Sequence, residues 1–155
     1  MSAAAEARTT APVQVRTVEE ADVPHLLRLF RTFHQESPFS DEPYNPRSVG
    51  DTLGHCMDEK FPDRVAFVAE LDGEAVGAAG AVMQHVWFDY STFYAIEAFW
   101  FVAPRFRGQG IGTALAFAME GWAKGKGCKY LVLSSFGDRV PLDYERCETT
   151  YRRML

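Results

Sequence analysis

Apolar residues along this chain recur with two periods, and the switches between them sketch a mixed fold. Val13-Gln14-Val15-Arg16-Thr17 alternates with the two-residue repeat of a strand. Helical spacing follows: Val23, Leu26, Leu27, Phe30 and Phe33 share a face behind Glu19-Glu20-Ala21-Asp22, whose acids suit a helix N-terminus, and Pro24 is tolerable in a first turn. A polar, proline-containing stretch over 37–46 leads to a weaker helix around Val49, Leu53 and Met57. Two β-rich runs, 65–71 and 75–86, flank Asp72-Gly73, a strong hairpin signal. After Asp89-Tyr90-Ser91, residues 94–102 are almost continuously apolar until Pro104 stops them, as in a strand buried on both faces. Ile111, Ala114, Leu115, Ala118, Met119 and Trp122 return to helical spacing, which Gly125 and Gly127 end. Residues 129–134 then read as a short buried strand and 143–154 as a last helix.

Between the apolar strand and the helix that follows it lies Arg105-Phe106-Arg107-Gly108-Gln109-Gly110-Ile111-Gly112-Thr113. Glycines let backbone N–H groups approach a ligand, and a helix that starts at such a loop presents unpaired donors and a positive dipole. The composition is that of an anion cradle for a phosphorylated cofactor. A P-loop requires a Lys-Ser/Thr pair that does not follow Gly108 at the required distance. A dinucleotide fingerprint requires a third glycine where Thr113 stands, and it normally occupies the first strand-to-helix turn. The remaining pattern, Arg107-x-x-Gly110-x-Gly112, resembles the Q/R-x-x-G-x-G/A signature of the Gcn5-related N-acetyltransferases. Arg105-x-x-Gly108-x-Gly110 fits it too, but Thr113 and the helix favour the later frame.

The resemblance extends to the order of elements. It implies an α/β (α+β) fold with a mixed, mostly antiparallel central sheet flanked by helices, and a V-shaped splay between the fourth and fifth strands. It further implies acetyl-CoA as cosubstrate, its pyrophosphate held at Arg107, Gly108, Gln109, Gly110, Ile111, Gly112 and Thr113. Its pantetheine arm would lie along the backbone of Phe101 and Val102. In the family a further strand follows the last helix, and no residues remain for it after Leu155. An exposed apolar edge is a liability. Either the sequence is partial, or an equivalent chain covers the edge in a homodimer, which is the preferred reading.

Bulk properties fit this expectation. The chain has 155 residues, 47% of them hydrophobic, which suits one domain over 13–155 with a flexible tail over 1–12. The tail lacks the long apolar core of a signal peptide, so a cytoplasmic location is expected. Cys56, Cys128 and Cys147 are too few and scattered for a disulfide framework or zinc cluster, and no metal is expected. A net charge of −5 argues against nucleic-acid or anionic-membrane binding and mildly favours a cationic substrate.

Amide formation requires a group to take the proton of the amine, a donor for the developing oxyanion, and a thiolate that can leave. Glu97 is the only acid in an otherwise apolar strand, where burial would raise its pKa, and it is the first candidate base. By strict alternation it lies on the face opposite Val102 unless a bulge intervenes. A structural pairing with Arg16 is the alternative role for Glu97, and His85 or a water relay the alternative base. The resemblance points to Tyr151 as the general acid, with Tyr144 as alternative, although Leu155 stands where the family has glycine. Trp87, Phe88, Tyr90, Phe93, Tyr94, Phe99 and Trp100 concentrate rings near the expected acceptor site, where they form core or cage a cation. The segment 34–39, with Glu36, falls where the family shapes acceptor specificity. The expected function is acetyl-CoA-dependent acetylation of a primary amine on a small molecule or peptide. The alternative is a noncatalytic acyl-CoA-binding or regulatory domain.

Overall fold

A computed structural model describes residues 12–134, 143–147, 149 and 151–155. Five strands form one sheet in sequential order: β1 (Gln14–Thr17), β2 (Arg64–Leu71), β3 (Glu74–Val86), β4 (Asp89–Val102) and β5 (Leu131–Val132). The first four are antiparallel neighbours, and β5 joins β4 in parallel. Helices α1 (Val23–Glu36) and α2 (Pro46–Met57) cover one face, and α3 (Ile111–Gly125) covers the other. The mixed, mostly antiparallel sheet expected from the sequence is therefore present.

Local chemistry accounts for the boundaries. A short 3-10 turn, Glu20–Asp22, leads into α1, with Pro24 in the first turn. Asn45 caps α2 by accepting from the N–H groups of Arg47 (3.0 Å) and Ser48 (3.4 Å), with Pro46 as the first helical residue. Asp72 (φ 50°) and Gly73 (φ 78°) both take the left-handed backbone of a two-residue hairpin, as their sequence suggests. Helix α3 ends where Gly127 (φ 78°) turns the chain. There Gly127 N–H donates to Lys124 and Cys128 N–H to Ala123 in a Schellman arrangement.

The layers pack through both faces of β4. Phe99 and Phe101 point to α1, where Phe30 meets Phe99 edge-on at 4.8 Å and Phe33 stacks on Phe101 at 4.8 Å. Trp100 and Val102 point to the α3 side with Ile111, Leu115 and Met119. Gly80 sits beneath the Phe99 ring so closely that a Cβ there would lie 2.5 Å from it. Near β1, Arg16 grips Asp22 with both terminal nitrogens (2.7 and 2.8 Å) and also reaches Glu70 (2.9 Å). Asp22 in turn accepts from the Glu19 N–H (2.8 Å), so the entry to α1 is locked to β1 and β2.

Three expectations need correction. The β3–β4 turn falls at Trp87-Phe88, not at Asp89-Tyr90-Ser91; β4 already begins at Asp89, which accepts from Ser91 and Thr92 within the strand. The strand expected over 129–134 shrinks to Leu131–Val132, because the chain leaves β4 immediately afterwards. The expected last helix over 143–154 is absent from its described residues, which form turn and irregular backbone. The expected tail over 1–12 lies, but for Pro12, outside the described residues.

Two stability predictions follow from this packing. Gly80→Ala should destabilise the fold by about 1–3 kcal/mol in chemical denaturation, because Phe30 holds the Phe99 ring in place, and adding Phe99→Leu should restore most of it. Arg16 holds the Asp22 carboxyl below the usual carboxylate range, so its contribution is present above the unfolded value of about 4 and fades as pH falls through the folded value. Asp22→Asn should therefore cost about 2 kcal/mol at pH 7 and progressively less in acid, as read from denaturation curves across pH.

Candidate active site

The site forms where β4 and β5 part. The Lys129 N–H donates to the Phe93 carbonyl (2.8 Å), and the paired residues end with Ala95 against Leu131 and Ile96 against Val132. Beyond that point Ser134 donates its N–H not to a backbone carbonyl of β4 but to the Glu97 carboxylate, at 3.1 Å. Glu97 thus occupies the base of the V-shaped opening. Burial pushes its carboxyl up from the ordinary carboxylate value, while the Ser134 N–H and hydroxyl, by donating to it, pull the other way. Arg16, committed to Asp22 and Glu70, is not its partner.

A bulge aims Glu97. Gly80 pairs with Phe99, but Ala81 pairs with Glu97, so Ala98 is an extra residue on β4. Without it Ala81 would face Ala98, and Glu97 would lie on the face opposite Val102. The extra residue reverses the alternation.

Above Glu97, β4 has no strand partner on its splayed side among the described residues. Ala103 donates its N–H back to Val76 in β3 (2.9 Å), so the preceding Val102 carbonyl faces the opening. Arg107 Nε donates to that carbonyl at 2.9 Å, while Nη2 reaches Glu36 at the end of α1 (2.6 Å) and the guanidinium lies over the Phe101 ring. The head group expected to meet phosphate is thus directed toward Glu36 and Val102. Arg105, the other arginine of the loop, pairs with Glu74.

The loop ends in Gly108 (φ 77°) and Gly110 (φ 81°), both in the left-handed region and both open to space where a Cβ would stand. Gly110 is the N-cap of α3 and supplies no side-chain cap, so the first-turn N–H groups of Ile111, Gly112 and Thr113 have no intrahelical acceptor. The Trp100 indole fixes this helix start to β4 by donating Nε1–H to the Gly112 carbonyl at 2.9 Å. An oxyanion of the pyrophosphate type fits such a cradle by charge and by donor direction.

On the α1–α2 side the splay opens into a cavity of about 670 Å³, lined by Phe30, Phe33, Phe39, Tyr44, Trp100 and Glu97, among others. Ser134 and the polar residues of 34–48 complete it. The other expected residues lie apart. His85 lines a second cavity behind β5 and packs edge-on against Tyr90 (4.5 Å), so it does not meet Glu97 in one cavity. Tyr151 is 92% exposed and does not line the 670 Å³ cavity, while Tyr144 donates to Glu120 of α3 (2.6 Å). The aromatic cluster divides: Phe99 is core and Trp100 lines the cavity, but Trp87, Phe88 and Tyr90 are exposed at the hairpin tip. Sequence reasoning missed Ser134 as the partner of Glu97, and it missed Tyr44. The polar stretch before α2 gave no signal that a ring there folds back under α1. Among the described residues no group of three potential metal ligands occurs, and no helix is long and apolar enough to cross a membrane.

Comparison with known proteins agrees with this fold. The sequence model of the acetyltransferase (GNAT) family matches residues 25–141. An aminoglycoside N(6')-acetyltransferase type 1 from Klebsiella aerogenes is 40% identical over 68 residues, 43% of this chain and 45% of that enzyme. The chain thus spans less than half the length of that relative. A thialysine N-epsilon-acetyltransferase from Bos taurus is 29% identical over 132 residues, 79% of this chain and 74% of that one. Among solved structures, an acetyltransferase of Trypanosoma brucei superposes with a TM-score of 0.73 at 21% identity, covering 93% of this chain and all of that one. The splayed sheet, the glycine cradle at the start of α3 and a family match over most of the chain lead to one assignment: the chain belongs to the acetyltransferase (GNAT) family.

Proposed function

We propose that this protein transfers an acetyl group from acetyl-CoA directly to the primary amine of a small molecule. The observation that carries the reading is the placement of Glu97, a half-buried carboxylate at the base of the splay, between the glycine cradle and an acceptor-sized cavity. A noncatalytic acyl-CoA-binding domain would have no use for such a group at that place. The aminoglycoside and thialysine acetyltransferases named above, both N-acetyltransferases, support amine acylation.

The donor, when bound, supplies a thioester. Every other part comes from the chain. The N–H groups of Gly108 to Thr113 and the dipole of α3 hold the pyrophosphate, and the unpartnered edge of β4 at Phe101 and Val102 aligns the pantetheine arm. Arg107 would have to release Val102 and Glu36 to reach a phosphate, and in doing so it frees the carbonyl that the arm would use. Glu97 first attracts the ammonium of the acceptor and then takes its proton, directly or through water. Its raised pKa makes it a better base than an ordinary carboxylate for an amine of pKa about 10.4. The N–C bond forms, a β4 backbone N–H stabilises the developing oxyanion, and the C–S bond breaks with its electron pair going to sulfur. Because a thiol of pKa about 8.5 is a tolerable leaving group, the exposed Tyr151 is not required as an acid. Positioning carries much of the rate.

The direct test is calorimetry with acetyl-CoA followed by thiol release over a panel of amines. Saturable binding with turnover is expected; binding without release on any amine would favour the noncatalytic alternative, and no binding would remove both. Gly110→Trp should abolish acetyl-CoA binding while leaving the far-UV circular dichroism unchanged, since it fills the cradle and strains a left-handed position. An unchanged affinity would show that the anion site lies elsewhere. Glu97→Gln should lower kcat by about 10²-fold or more with little effect on acetyl-CoA affinity. In the parent protein, activity should fall with acid as Glu97 is protonated, at a pH above the ordinary carboxylate value, and the variant should lose this limb of the profile.

A further inference from the structure

We infer that the acceptor carries one primary amine on an apolar aliphatic or aromatic body, and that polycations such as aminoglycosides and polyamines are poor substrates. The inference rests on the proposed acetyl transfer and names the class of amine it serves. It follows from a count of what the 670 Å³ cavity can offer.

Glu97 is the only carboxylate among the described residues that line the cavity. The polar side chains around it are largely spent on the protein itself. Tyr44 donates its hydroxyl to the Leu27 carbonyl (2.6 Å), and His34 Nε2 lies 2.7 Å from the Glu42 carbonyl, where only a ring N–H is a partner. Ser37 donates to the His34 carbonyl (2.8 Å) and accepts from the Phe39 N–H (3.2 Å). Asn45 uses its side-chain oxygen on the first turn of α2 and retains only a donor, which no ammonium can use. Beyond Glu97, the side-chain acceptors left among the described lining residues are the neutral Ser48 and Ser134 hydroxyls and the second ring nitrogen of His34.

The remaining wall consists of rings. Phe30, Phe33, Phe39 and Tyr44 supply rings that suit an apolar body and, at an open face, a single ammonium. Two of these rings already carry cations. The Arg31 guanidinium lies over Tyr44 at 5.0 Å, and Arg152 lies over Phe39 at 5.4 Å while donating to the Pro38 carbonyl (2.7 Å). Glu36, Asp41 and Glu42, the acids that adjoin the lining segment in sequence, do not themselves line the cavity. On the wall that the described residues form, a second ammonium would therefore meet guanidinium groups where it needs carboxylates, and hydroxyl-rich sugars would meet rings where they need acceptors. The volume accommodates a drug-sized acceptor, so size does not exclude the larger amines; chemistry does.

The test uses matched pairs in the thiol-release assay with saturating acetyl-CoA: heptylamine against 1,7-diaminoheptane, and 2-phenylethylamine against spermidine and kanamycin. The monoamines should be favoured in kcat/KM by about tenfold or more, the usual penalty for a charge left without a partner. Equal or better turnover of the diamine, spermidine or kanamycin would overturn the inference and leave acetyl transfer standing. No turnover with any amine would overturn both. Ser48→Asp places a second carboxylate on the cavity wall at a helix N-terminus that tolerates it, and it should collapse the heptylamine preference. A preference unchanged in that variant would show that the lack of negative charge does not set the selectivity.

Discussion

Once Ile96 has paired with Val132, β4 has no strand on that side among the described residues, yet its other edge stays bonded to β3 as far as Val102. An unpaired edge inside a sheet leaves backbone groups that must find partners, and the site consists of the partners they find. Glu97 takes the N–H of Ser134 where the strands separate, and Arg107 takes the carbonyl of Val102 near the top. Between them the edge stays open. The layers on either face keep it in place, because Phe99 and Phe101 are anchored in the α1 core while Trp100 and Val102 are anchored against α3.

Much of this was legible in the sequence because it depends on local rules. Period-2 and period-3.6 patterns placed the central strands and the first three helices, Asp72-Gly73 marked a left-handed turn, and the glycines of the loop fell where positive φ is needed. What was not legible depends on partners distant in sequence. The length of β5 is decided by where β4 departs from it, not by the apolar run Leu131-Val132-Leu133. Trp87-Phe88 has strand composition and yet forms the turn, while Asp89 and Ser91, with turn composition, continue the strand by bonding to each other. Composition cannot resolve such a case.

The bulge at Ala98 lay between these extremes. Alternation alone assigned Glu97 to the wrong face, and one extra residue reverses that assignment. A single residue of register therefore decides whether Glu97 continues the alternation of Phe99 and Phe101 or departs from it. Arg107 illustrates a second limit. Its position in the loop was evident, but its bond to Glu36 crosses from the loop to α1, and no local pattern reports such a contact.

The indole of Trp100 ties the first turn of α3 to the strand that borders the acceptor cavity, bypassing the loop between them. It acts as a ruler. The span between the two ends of an extended donor is set by one side chain, not by the glycine-rich connection. That connection is thereby relieved of holding the spacing between strand and helix, and its glycines serve the backbone conformation alone.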